Sequence, residues 1–319
     1  MKIALYLFAF VIIFISPFLG EITLSLNDIF DTTNSSNMVF WDLRVSRVLL
    51  AFFVGGILSL GGLIFQIIFK NELITPYTLG IASGTTLFTA IAIVFFPMLN
   101  ISISSIFVSI VTVLVLYFIS KRINQNTVAV STNSILLIGI SLSYFYGSAL
   151  MLVFYMSNLQ ENYSIIRFTL GSLDTVGFTN SFIIMCVSVI FYFVVYFNKQ
   201  KIKLLLICND TAFLKGLNVN KTNLILLIVV SLSVGISISF VGPIGFIGLV
   251  IPHVIKLIYK QSADKLFFPV FFFGGIFLVF SDLISRNLNT ASTLPIGVVT
   301  AFIGAPFFVY LLIRRNKKI

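Results

Sequence analysis

The sequence predicts an all-α, polytopic membrane protein of about ten transmembrane helices. Three observations carry that prediction. Charged residues make up 9% of the 319 positions and hydrophobic ones 59%, whereas a soluble domain carries roughly a quarter charged residues. Apolar runs of about 20 residues, enough to cross a ~30 Å hydrocarbon core, recur along the whole chain. The basic residues gather in the short connections between those runs, mostly on alternate ones.

The first run, Ile3 to Leu19, lacks the small-x-small site of a cleavable signal peptide and is read as a retained span near 3–20. By the length rule, four further spans fall near 45–69, 76–97, 102–120 and 133–155. A second set falls near 181–198, 222–241, 244–259, 266–285 and 295–313. The eighth is short and bounded by glycines, which fits a kinked or partly re-entrant segment. Between spans five and six, Asn158 to Thr179 is too polar for hydrocarbon but carries Ile165, Ile166, Phe168 and Leu170, so a short interfacial helix is expected. No linker or low-complexity tract interrupts the pattern, and residues 1–319 read as one membrane domain.

Ten spans put both termini on one side, and the lysines choose which. With the termini in the cytoplasm, 16 of the 20 basic residues are cytoplasmic, and only Arg44, Arg47, Arg167 and Arg286 lie outside. Seven of the ten acids join them: Glu21, Asp28, Asp31, Asp42, Glu161, Asp174 and Asp282. The formal charge of +10 is thereby explained by topology. Without an aromatic-interleaved basic stretch, it does not point to nucleic acid.

The chain carries no GxxxxGK[ST] loop, HExxH or GxSxG, so any ATPase must be a separate polypeptide, and no catalytic, cofactor-binding or metal-ligating set is predicted. His253 is the one histidine and reads as a packing residue. The middle of every predicted span lacks Asp, Glu, Lys and Arg, which weighs against a proton-coupled carrier, although sodium sites built from carbonyls and hydroxyls would escape that test. Cys186 and Cys208 are 22 positions apart in sequence, about 30 Å along a helix, too far for a disulfide. Gly55, Gly56, Gly61 and Gly62 in span two, Gly242, Gly245 and Gly248 around span eight, and Gly274 and Gly275 in span nine read as close helix-packing faces.

The outward arginines are the most informative charges. Arg44 and Arg47 are spaced i, i+3, which on an α-helix places both guanidiniums on one face, and Arg286 ends span nine. Such arginines either snorkel to lipid headgroups or pair bidentately with carboxylates of an extracytoplasmic protein.

At this point the residues resemble a known family. The stretch GPIGFIGLVIPHVIK (Gly242 to Lys256), then SDLISR (Ser281 to Arg286) and LPIGVVTAFIGAPFFVYLL (Leu294 to Leu312), is similar to the C-terminal signature of the iron-siderophore and cobalamin permeases of ABC importers. Upstream, RVSRVLLAFFVGGILSLGGLIFQIIFKNELITPYTLGIASG (Arg44 to Gly84) is similar to that family's span-two signature. The likeness runs from about Trp41 to Leu312.

The resemblance implies the type II ABC importer permease architecture in the cytoplasmic (inner) membrane of a bacterium. It also implies a second permease subunit (a copy of this chain or, more often for siderophore systems, a different one), two cytoplasmic ATPase subunits and an extracytoplasmic substrate-binding protein. No cofactor is implied. The expected cargo is a ferric siderophore, with cobalamin or haem as alternatives within the family. By position, Arg44, Arg47 and Arg286 would dock acidic residues on the binding protein. The loop 209–219 would couple to the ATPase through Asp210, Ala212 and Gly216, and Asn71, Leu73, Ser131 and Thr132 would line the cytoplasmic gate. This chain departs from the family at Glu72 and Ser46, where proline is usual, and at Asp210, where Glu is more common. An ion-coupled secondary carrier is the competing class, and an intramembrane enzyme ranks behind both.

Overall fold

A computed structural model describes residues 2–20, 29, 35–96, 107–112, 114–115, 118, 132–206, 209–288 and 294–316. All regular structure among them is helical. Helix α1 (Lys2–Ile15) runs into a 3₁₀ turn, Ser16–Phe18. Helix α2 (Ser46–Phe69) is preceded by a short turn, Ser35–Met38, and a π-helical stretch, Val39–Val45. There follow α3 (Ile81–Phe95), α4 (Thr132–Met156), α5 (Leu159–Leu170) and α6 (Thr179–Phe197). The chain continues through α7 (Lys199–Leu205), α8 (Asn209–Leu214) and α9 (Val219–Val241). It ends with α10 (Ile247–Tyr259), α11 (Phe267–Asn287) and α12 (Ile296–Asn316).

Among the described residues, five helices are long and apolar enough to cross a membrane: 36–69, α4 from Leu136, α6, α9 and α11. Four shorter apolar helices match the expected first, third, eighth and tenth spans. The expected span at 102–120 lies mostly outside the described residues, which are helical at 107–112. Helix α10, with 13 residues, is only about 20 Å long and cannot cross the core alone. Its short length was legible in the bounding glycines Gly242 and Gly245.

Span three starts later than expected, at Ile81, because the residues before it close on themselves. The Thr75 N–H donates to the Thr78 hydroxyl at 3.0 Å, that hydroxyl donates to the Thr75 carbonyl at 2.9 Å, and Gly80 enters the helix at φ +79°. The interfacial helix is α5. Asn158 and Glu161 exchange hydrogen bonds, each 2.9 Å, in a reciprocal N-cap.

Helix α2 is the axis of the fold and packs on α11, α10, α6 and α9. Burying leucine gains little in lipid, which is as apolar as leucine, so contact must come from backbones that approach closely. A Cβ on Gly55 would lie 2.3 Å from the Gly274 carbonyl oxygen, and one on Gly62 2.1 Å from that of Gly248. The glycines of spans two and nine, with Gly248 of span eight, are therefore packing faces, whereas Gly245, expected among them, faces open space. Ser59 adds a bond across the seam, its hydroxyl donating to the Val270 carbonyl at 2.9 Å. By contrast, α4 and α6 keep most of their side chains uncovered.

Candidate functional site

The continuous helical run 36–69 is 34 residues long, about 50 Å, which exceeds a ~30 Å core by some thirteen residues. Counting a core length back from Phe69, the excess is the segment that carries Arg44 and Arg47. Within it the backbone is π-helical, and the N–H of Ser46 donates to the Trp41 carbonyl, closing a five-residue ring. Proline at position 46 could not donate that bond, so the departure noted in the sequence has a structural counterpart. Ser46 is fully buried, its hydroxyl donating to the Asp42 carbonyl at 2.5 Å.

The extra residue per turn separates the two arginines. Arg44, 6% exposed, turns towards α1, where its Nη1 donates to the carbonyls of Pro17 (3.2 Å) and Phe18 (3.3 Å). Arg47 turns towards α11, with Nε 2.8 Å from the Asp282 carboxylate and Nη1 bonded to Asp174. Arg286, 7% exposed, donates to Ser16 Oγ at 3.0 Å, and its Nε lies 3.0 Å from the second Asp282 oxygen. That last contact is an ion pair without hydrogen-bond alignment.

Asp282 is completely buried between the two guanidiniums, one turn before Arg286. Asp174 sits in the α5–α6 loop and bridges Arg47 to Arg167, whose Nη2 is 3.0 Å away. Partial burial pushes the Asp174 carboxyl up, but the Ser172 hydroxyl (2.6 Å) and the guanidiniums of Arg47 and Arg167 outweigh it and hold the group below the ordinary carboxylate range.

A cleft of about 470 Å³ opens between these groups, lined by Gly20, Leu43 and all four arginines against the single carboxylate of Asp174. Two adjoining clefts, about 270 and 410 Å³, share its Arg167 and Asp174. The three arginines singled out in the sequence thus converge on one cleft. Arg44 and Arg286 are buried and donate to oxygens of residues 16–19, and Arg167, with 58% of its side chain exposed, is the most open of the four. Sequence reasoning missed Asp282, Asp174 and Arg167 as members of the cluster. Only the i, i+4 spacing of Asp282 and Arg286 was a local signal.

At the opposite end of α2, Lys70 caps the helix at φ +49°. The side chain of Asn71 accepts from the Leu73 N–H at 2.9 Å, folding the loop into a tight turn with Leu73 half exposed. The last turn of α2 and the loop after it each contact α10. Gln66 donates to the Gly248 carbonyl (3.2 Å) and accepts from Lys256 Nζ (3.0 Å), and the Glu72 carboxylate lies 3.6 Å from His253 Nδ1. His253, expected to be a packing residue, also meets the Phe308 ring edge-on. Of the other gate candidates, Ser131 lies outside the described residues, and Thr132 is described only as the first residue of α4.

The loop 209–219 contains the six-residue helix α8. The Ala212 side chain is fully buried, and the Ala212 carbonyl accepts from the Leu217 N–H at 3.1 Å. Gly216 turns the chain at φ +80° with open space around it. Asp210 lies on α8, its side chain outside the description. Phe213 and Leu214 project from the tip, 61% and 82% exposed, an apolar pair that sequence reasoning did not single out.

The chain matches the FecCD transport family over residues 7–314. It is 30% identical over 283 residues to an iron chelatin transport system permease protein of Helicobacter pylori, covering 89% of this chain and 85% of that one. It is 28% identical over 278 residues to the vitamin B12 import system permease protein BtuC of Vibrio cholerae, covering 86% and 83%. Its fold matches a solved inward-facing structure assigned to the metal-chelate type of ABC transporter, with a TM-score of 0.87 and 24% identity over 98% of both chains. The match over residues 7–314, on a chain with several membrane-length apolar helices, makes this polypeptide a multi-pass ABC importer permease, and it belongs to the FecCD transport family.

Proposed function

We propose that this permease carries a ferric siderophore across the cytoplasmic membrane by alternating access, driven by two partner ATPases and supplied by an extracytoplasmic binding protein. A second permease subunit completes the pathway, and both termini face the cytoplasm. The observation that carries the reading is the opposite arming of the two ends of α2, with four arginines at a cleft at one end and a folded loop held to α10 through Glu72 and His253 at the other.

Arginine presents paired donors that match a carboxylate, so the cleft suits acidic side chains of a delivering protein. The apolar tip Phe213–Leu214 suits insertion into a groove of an ATPase, with Gly216 setting its angle. The turn at Asn71 to Leu73 suits a movable constriction because it hangs from α2 by a left-handed cap rather than by continuous helix. Asp210, Ser131 and Thr132 keep their proposed coupling and gate roles. Iron travels inside its chelator and needs no ligands from the permease.

The test is reconstitution in proteoliposomes with the ATPases and binding protein, comparing ATP-dependent uptake of a labelled ferric siderophore with that of cobalamin and haem. Saturable siderophore uptake is expected. Preference for cobalamin or haem would overturn the cargo assignment, and uptake by the lone permease under an ion gradient would overturn the ATP-driven reading.

A further inference from the structure

Arg47 holds two carboxylates of unequal commitment. Asp282 is completely buried and is shared with Arg286, so its departure would leave charges unpaired away from water. Asp174 keeps about a third of its side chain in solvent and rides on a loop whose two ends, Gly171 and Gly177, both stand at positive φ. Its second partner, Arg167, is itself more than half exposed and can be rehydrated when Asp174 leaves. Ion pairs of that exposure are weak and readily exchanged.

The same loop touches three helix ends. Its Ser172 N–H donates to the Val241 carbonyl at the end of α9 (2.8 Å), and its Gly177 N–H to the Asp42 carbonyl ahead of α2 (2.9 Å). The Gly171 carbonyl accepts from the Ile296 N–H at the start of α12 (3.3 Å). A change at Asp174 therefore reaches α9 and α12 as well as α2.

We propose, resting on the docking reading above, that Asp174 is a resident competitor. It occupies donors of Arg47 and Arg167 in the undocked permease, a carboxylate of the arriving binding protein takes its place, and the 171–178 loop is thereby released from α2. With four guanidiniums lining it, and Asp174 and the buried Asp282 the only carboxylates paired with them among the described residues, the cluster remains net basic and favours an acidic partner. The buried Asp282 keeps Arg47 aimed at the cleft throughout the exchange.

The experiment measures affinity of the purified binding protein for the assembled permease–ATPase complex in nanodiscs. Asp174→Asn keeps the shape and an acceptor for Ser172 but removes the competing charge, and should tighten binding about two- to five-fold. Ser172→Ala, which loosens Asp174 without touching an arginine, should shift affinity in the same direction by less. Unchanged or weaker binding in both variants, while wild-type affinity still falls with salt and with Arg167→Glu, would overturn the competitor role alone. Wild-type binding indifferent to salt and to Arg167→Glu would overturn the docking reading beneath it.

Discussion

The Nε of Arg47 lies 2.8 Å from Oδ1 of Asp282, joining α2 to α11 at the end of a helix pair held elsewhere by glycine faces. A buried carboxylate between two guanidiniums is weak evidence for net stability, yet removing it is expensive, because the buried Arg286 then loses its carboxylate partner and Arg47 keeps only Asp174. Asp282→Asn is expected to cost roughly 3 kcal/mol, read as a lower thermal midpoint of the purified permease. Asp282→Asn combined with Arg286→Met should recover part of the loss, since one stranded cation is gone. An unchanged midpoint in the single variant would show that the cluster does not hold the two helices.

Ser46 tests the π-helical turn. Ser46→Ala removes only the hydroxyl bond to the Asp42 carbonyl and should cost about 1 kcal/mol. Ser46→Pro also removes the N–H that closes the ring on Trp41, and should cost up to about 3 kcal/mol while shifting Arg44 off the carbonyls of Pro17 and Phe18. Equal midpoints for the two variants would remove the N–H from the account.

Some of this was readable in the sequence and some was not, for a physical reason. The spans, the short α10 and the helix α5 between spans five and six follow from hydropathy and glycine placement, all local signals. The rule that places Arg44 and Arg47 on one face assumes an α-helix. One extra residue per turn, stabilised by a serine where proline is usual, sends them to different partners. Asp174 meets Arg47 across 127 positions, and nothing in either neighbourhood marks that meeting, because it depends on how α5, α2 and α11 pack. The Glu72–His253 contact was invisible for the same reason.

The glycine seam makes a selective prediction. Gly62→Ala forces a methyl to 2.1 Å from the Gly248 carbonyl oxygen, and backbone cannot swing aside as a side chain can. A loss of about 1–3 kcal/mol or failure to assemble is expected. Gly147→Ala meets nothing within 4 Å and adds helix propensity, so it should be neutral or slightly stabilising. Fluorescence-detected size-exclusion of the two variants reads the difference, and equal behaviour would contradict the close α2–α10 contact.

Glu72 and His253 tether the loop after α2, the proposed gate, to α10. Glu72 is nearly half exposed, so the coupling should be small, about 0.5–1 kcal/mol in a double-mutant cycle of Glu72→Gln and His253→Gln. The functional effect should exceed the energetic one, because the tether lies beside Leu73. Each single variant is expected to raise leak of cargo through the resting transporter, with little added by the second. Strictly additive leak would mean that the two residues act apart.

Gly216 is where conformation alone decides the outcome. At φ +80° with open space around it, a side chain has room but the backbone does not tolerate it, at about 1–3 kcal/mol for a β-branched residue. Gly216→Val should therefore re-aim the Phe213–Leu214 tip without disturbing the membrane helices. The assembled transporter should keep hydrolysing ATP while uptake falls at least about ten-fold, the loss produced by ~1.4 kcal/mol of misalignment. Gly216→Asn, which adopts left-handed backbone more readily, should lie between the two, and normal uptake by Gly216→Val would refute the coupling role of this loop.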